Sequence, residues 1–154
     1  KLCIEDLPDN QFDTVPLLSV AKIIEKLLSE IQPEIIYTHF HNDLNVDHRI
    51  ACQAVITACR PQPGSSVEQI LTFETPSSTE WQIRDYEPFS PNHYVDISAE
   101  IKEKKELLQV YAPELRAFPH PRSLQAIAAL ATYRGIEVGL DAAEAFRVVR
   151  SIRK

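Results

Sequence analysis

No stretch of the 154-residue chain approaches the roughly 20 consecutive apolar residues that a bilayer-crossing helix requires. The N-terminus also lacks the charged-then-apolar pattern of a secretory leader. Together these absences predict a cytoplasmic protein with no membrane span. Clustered basic residues are missing as well. Lys and Arg number 16 against 22 Asp and Glu, for a formal charge of -6 and a pI near 5.4. A phosphate backbone needs Lys and Arg to displace its counterions, so nucleic acid drops out as a partner. Cysteine is scarce: Cys3, Cys52 and Cys59 are odd in number, at spacings that fit neither a disulfide framework nor a CxxC metal knuckle. They read as buried reduced thiols. Internal repeats and low-complexity tracts are absent.

What is present is the composition of an ordinary folded domain, 44% hydrophobic and 25% charged, with a length that suits one unit better than two. Pro16 opens a predicted amphipathic helix, with Leu17, Val20, Ile24, Leu27 and Leu28 on one face, ending near Ile31 before Pro33. The β-branched and aromatic run from Glu34 to Phe40 predicts a buried strand. After a polar loop, Asp47 is the expected N-cap of a helix from His48 to about Cys59, stopped by Pro61 and Pro63. Val67 to Glu74 reads as a strand and Pro76 to Thr79 as a loop. Tyr94 to Ile97 reads as a short strand. Ser98 is then the expected cap of a charged helix, Ala99 to Tyr111, burying Ile101, Leu108 and Tyr111. A last helix should run from Ser123 to a left-handed C-cap at Gly135. The segment from Ala143 to Val149 suits a strand or a short helix. Alternating helices and strands favour an α/β fold with a parallel sheet.

The densest polar cluster, Thr38 to Arg49, lies where a strand ends and a helix begins, the usual place for ligands in open α/β sheets. His39, His41 and His48 could supply imidazole nitrogens to a metal, with Asp43 and Asp47 as ligands or as carboxylates orienting a ring. The plainer alternative has Asp47 as a cap, Asn45 in an Asx turn and the histidines in solvent.

The run Asp43-Leu44-Asn45-Val46-Asp47-His48-Arg49 resembles the second signature of the LmbE-like/PIG-L deacetylases, often written His-Pro-Asp-His followed by Arg. The agreement continues through Pro8-Asp9-Asn10…Asp13-Thr14, Pro76-Ser77-Ser78-Thr79-Glu80-Trp81, Val95-Asp96-Ile97-Ser98, His120-Pro121-Arg122-Ser123 and Ala143-Glu144-Ala145-Phe146. The resemblance implies a Rossmann-like (LmbE-like), mostly parallel sheet flanked by helices. It further implies that residues 1–154 are the C-terminal portion of one deacetylase domain. The family's His-Pro-Asp-Asp segment, which gives zinc a histidine and an aspartate and supplies the general base, is not found here; the resemblance therefore implies that the opening strands lie outside this sequence.

On that resemblance His48 is the third ligand to a zinc cofactor and Asp47 the aspartate tuning it. Asn45 stands where the family often has an oxyanion-stabilising histidine. His120, beside Arg122, is the candidate to compensate, although His-Pro-Arg-Ser could equally be a turn with Ser123 capping a helix. Asp9, Asn10 and Asp13 resemble the loop facing the sugar hydroxyls, and Arg122 joins them as a substrate-binding candidate. The activity implied is hydrolysis of the N-acetyl group of an N-acetylglucosamine-type sugar by zinc-activated water. Without the missing segment the chain is expected to be inactive, and to associate with that segment or with itself. Two alternatives stay open. One is a non-catalytic carbohydrate-binding or regulatory module. The other is a different metal hydrolase built on His39, His41 and His48, which a loop between the first two and the third disfavours.

Overall fold

The computed structural model describes residues 2–83 and 85–153. Its first helix, α1 (Leu17–Ile31), starts at Pro16 and ends where Gln32 turns left-handed and donates its N–H to the Leu28 carbonyl. Strand β1 (Ile35–His39), helix α2 (Val46–Ala58) and strand β2 (Gln69–Phe73) form a β-α-β unit whose strands pair in parallel, Ile35 opposite Gln69 through His39 opposite Phe73. Strand β3 (His93–Asp96), helix α3 (Ile101–Gln109) and helix α4 (Leu124–Ile136) follow, and the chain closes on β4 (Ala143–Ser151).

The sheet order is β1-β2-β4-β3. β4 is antiparallel to both its neighbours, so among the described strands one pairing is parallel and two are antiparallel. The α/β reading holds, but this sheet is mixed rather than mostly parallel. The open choice at Ala143 to Val149 resolves as a strand. Ala143, Ala145 and Phe146 are buried although Ala145 and Phe146 face opposite sides of the sheet, because β4 is central, between β2 and β3.

Strand alternation divides the core. Ile36 and Ile70 face α1 and α2, where Val55, Cys59, Val67, Ile24 and Leu28 pack against them, while Val20, Ala21 and Ala54 close the helix–helix contact. A second cluster, Ile97, Ala131 and Ala142, anchors α4. All three cysteines are free. Cys52 and Cys59 are buried but Cys3 is exposed, against expectation. Burial pushes the Cys52 thiol up to about 11, which makes it a packing residue and not a nucleophile. β1 stands at the sheet edge, with Ile35 and Tyr37 about half exposed (47% and 49%).

Three boundaries differ from the sequence-based expectation. The N-cap of α2 is Asn45, whose Oδ1 accepts from the Asp47 N–H, because the Asp47 carboxylate is engaged elsewhere. The charged helix starts at Ile101, after Glu100. Ser98 instead bonds Asp96, and Tyr111 is exposed. Finally, α4 runs through Gly135 rather than ending there. Gly135 is required for a different reason: a Cβ on it would lie 2.5 Å from the Leu140 carbonyl oxygen and 2.9 Å from the Ala142 backbone. The helix thus lets the chain return tightly into β4. Gly135→Ala is expected to cost about 2 kcal/mol, an overpacking penalty of up to about 3 reduced by about 1 for the helix propensity of alanine. Urea unfolding checks it; an unchanged midpoint would mean that residues 140–142 move aside freely.

Candidate functional site

β1 and β2 are parallel neighbours, so the loops after them leave the sheet at the same edge and meet. From the first loop comes Asp43, 1% exposed, and from the second come Ser78 and Thr79, both buried. A buried carboxylate is costly unless donors satisfy it. Asp43 receives four. His48 Nδ1 donates to Oδ1 at 3.0 Å and the Asn45 N–H to the same oxygen at 3.0 Å; the Ser78 hydroxyl also donates to Oδ1, and Thr79 Oγ1 donates to Oδ2 at 2.6 Å. Three of the four donors converge on Oδ1 and one on Oδ2, so both carboxylate oxygens are engaged. Burial works to raise the Asp43 carboxyl, but His48, Ser78, Thr79 and the Asn45 amide outweigh it and hold it down to about 2.

An ionised Asp43 accepts only, so His48 carries a proton on Nδ1, and in a neutral ring Nε2 bears the lone pair. This is the carboxylate–histidine arrangement in which an imidazole ligates a metal. His39, at the end of β1, stacks on the His48 ring with centroids 4.1 Å apart and planes 13° from parallel. Burial, then His48, lowers the His39 imidazole to about 4 against an opposing pull from Asp43, so it is neutral near pH 7. Its other neighbour, Phe73 at 4.9 Å between centroids, lines a cavity of about 480 Å3 between the sheet and α4.

The sequence-derived candidates fall into three places. His48 lies in the Asp43 centre. Asp47 faces the N-terminal segment: its Oδ2 accepts from the Asn10 N–H at 2.6 Å and its Oδ1 from the Phe12 N–H at 2.9 Å. The carboxylate that grips the His48 ring is therefore Asp43. Asn45 joins the two groups, since its Nδ2 donates to Asn10 Oδ1 at 3.0 Å while its carbonyl oxygen caps α2. Asn10 adopts a positive φ of 54° and bonds Asp9, and Asp13 is exposed in the 3-10 turn Phe12–Thr14. His120 and Arg122 form the third group. His120 Nδ1 accepts from the Arg122 N–H at 3.1 Å, which leaves a neutral ring its proton on Nε2, and the ring stands edge-on to Trp81. The Arg122 guanidinium pairs with Glu114 at 2.6 Å.

Other charged residues around the site take structural partners. Arg49 donates to the Asp43 and Leu44 carbonyls, Glu80 accepts from the Ser77 and Ser78 N–H groups, and Glu74 holds Arg134 with two bonds of 2.7 and 2.8 Å. The loop that was expected to part His39 from His48 does not do so; His41 instead turns to Glu87 at 3.5 Å. Sequence reasoning gave Ser78 and Thr79 no role. The convergence of loops after adjacent parallel strands is the signal that marks them.

A metal fits one position here. His48 Nε2 is free for it, but among the described residues no three His, Cys, Asp or Glu side chains come together to hold an ion. No helix among the described residues is long and apolar enough to cross a membrane.

Comparison with known proteins places this geometry. Residues 1–59, which include Asp43, Asn45, Asp47 and His48, match the profile of the PIG-L family, described as GlcNAc-PI de-N-acetylase. No curated protein matches the chain. Among solved structures, the conserved protein TT1542 from Thermus thermophilus aligns at TM-score 0.71 and 20% identity, over 96% of this chain and 65% of its own. The N,N'-diacetylchitobiose deacetylase from Pyrococcus horikoshii aligns at 0.68 and 18% identity, over 94% and 55%. GalB, the 4-carboxy-2-hydroxymuconate hydratase from Pseudomonas putida, aligns at 0.61 and 18%, over 89% and 60%. This chain thus spans less than two thirds of each of these structures. At such identities the likeness is one of fold, and a fold shared with a hydratase does not dictate the reaction.

Proposed function

From the PIG-L match over residues 1–59 and the LmbE-like fold of nearly the whole chain, we propose that the protein hydrolyses the N-acetyl group of an N-acetylglucosamine-type amino sugar with zinc as cofactor. The observation that carries this reading is the Asp43–His48 pair, which leaves one imidazole lone pair free for a metal within the matched segment. His48 Nε2 would hold the zinc. Zinc held there would supply Lewis acidity for amide hydrolysis at neutral pH.

The chain's own residues then have separable tasks. Asp43 keeps the His48 ring oriented and, by its charge, makes it a better donor. Asp47 pins the loop of Asp9, Asn10 and Asp13 beside the start of α2, where short carboxylates and amides suit a sugar diol. His120 offers an Nε2–H donor, and Asn45 a second amide hydrogen, toward a developing oxyanion. Arg122 sets the His120 tautomer through its backbone and can reach substrate only by leaving Glu114.

The lack of three converging donors among the described residues favours a second reading, a carbohydrate-binding module without turnover. Metal analysis together with acetate release from N-acetylated sugars separates the two. Stoichiometric zinc, with acetate release that stops on chelation and returns with zinc, supports the deacetylase. Sugar binding with neither zinc nor acetate overturns it in favour of the module.

A further inference from the structure

We infer that Ser78 and Thr79 are positioning residues for the His48 ligand: their hydroxyls, acting through Asp43, fix the ring tautomer that leaves Nε2 free. The inference rests on the reading of His48 as a metal ligand. Both hydroxyls come from the loop after β2, on the strand neighbouring the one that leads to Asp43, and each has its direction set from behind.

The Thr75 N–H donates to Thr79 Oγ1 at 2.7 Å, so that oxygen's own proton is free to point at Asp43 Oδ2. The Asn45 N–H lies 3.3 Å from Ser78 Oγ in the same relation, and the Ser78 proton goes to Asp43 Oδ1. With both hydroxyl protons committed to it, the carboxylate has no proton to give, and the imidazole nitrogen facing it must be the donor. The carboxylate is also fixed in rotation, because its two oxygens are held by different residues. Glu80 braces the loop by accepting from the Ser77 and Ser78 N–H groups. Ser78 and Thr79 are buried, so water does not substitute for either hydroxyl without a rearrangement.

The test is 15N NMR of the His48 ring in the metal-free chain at mildly alkaline pH. The parent should show a single tautomer protonated on Nδ1. In S78A/T79V that single-tautomer pattern should be lost to a mixture, and T79S, which keeps a hydroxyl on the same backbone, should retain it when Ser78 is intact. In the zinc-binding protein the double variant should weaken zinc affinity about tenfold, the lower end of what outer partners of metal-bound histidines contribute. A folded double variant with His48 still in the single Nδ1–H form overturns the inference. If the double variant fails to fold, T79V alone and the parent decide it. In the parent the Ser78 and Thr79 hydroxyl protons should exchange slowly with solvent, and rapid exchange of both overturns the inference. A tautomer change without zinc binding in any form would uphold the positioning role while removing the deacetylase reading.

Discussion

Asp43→Ala should lower the free energy of unfolding by about 3–5 kcal/mol, the scale seen when one partner of a buried charged network is deleted. The residue is 1% exposed and collects four donors. Removing its carboxylate leaves the Ser78 and Thr79 hydroxyls, the Asn45 amide and the His48 ring without their acceptor, in a space too enclosed for them all to find water. Each buried donor left unsatisfied costs about 1–3 kcal/mol, partly offset as Ser78 and Thr79 rotate toward other acceptors. Asp43→Asn should cost less, about 2 kcal/mol, since it keeps the volume and one acceptor oxygen but turns an NH2 toward groups that are themselves donors. Urea unfolding with unchanged slopes is the measurement. A loss below about 1 kcal/mol for the alanine variant would mean that the loops after β1 and β2 hold together by packing alone.

How much of this centre is legible in the sequence follows from the range of the interactions. α1 and β1 are bracketed by local signals, Pro16 and Pro33, and form close to where they are read, although β1 is an edge strand with Ile35 and Tyr37 half exposed and not the buried strand its composition predicts. The cap of α2 moves by two residues because a long-range bond, Asp47 to the backbone of Asn10 and Phe12, takes the carboxylate that local chemistry would spend on the helix. β4 is ambiguous in sequence because its central place between β2 and β3 is purely tertiary. Gly135 reads as a helix stop, but it answers a close approach by a segment five to seven residues on. In the site, His48 is found by its position after Asp43 and Asp47. Spacing alone does not tell which carboxylate holds it, since the carboxylate closest to the ring in space depends on how the loop folds back. Ser78 and Thr79 lie more than thirty residues from Asp43 and carry no motif that names their partner.

Stability should fall in two acid steps, the larger between about pH 6.5 and 4. The first belongs to His39. Its fold-imposed value of about 4 lies below the ordinary 6.5, chiefly from burial and then from the stacked His48, with Asp43 pulling upward. Between those values the unfolded chain binds a proton that the folded chain refuses, so stability rises with pH across the window. It is fully present above the unfolded value and lost as pH falls toward the folded one. Two and a half pH units correspond to about 3 kcal/mol. Asp43 acts in a lower window. Its carboxyl is depressed from 3.8 to about 2, so its contribution of about 2 kcal/mol is present above the unfolded value and disappears as pH falls through the folded one. His39→Phe keeps an aromatic ring between His48 and Phe73 while removing the titration. It should flatten the upper step and leave the lower one, as read from urea unfolding at a series of pH values. A variant that keeps the full upper step would place that titration on another group. The same step should steepen when zinc binds His48, because a metal binding to the folded state needs a deprotonated imidazole and so adds stability that is lost toward acid pH.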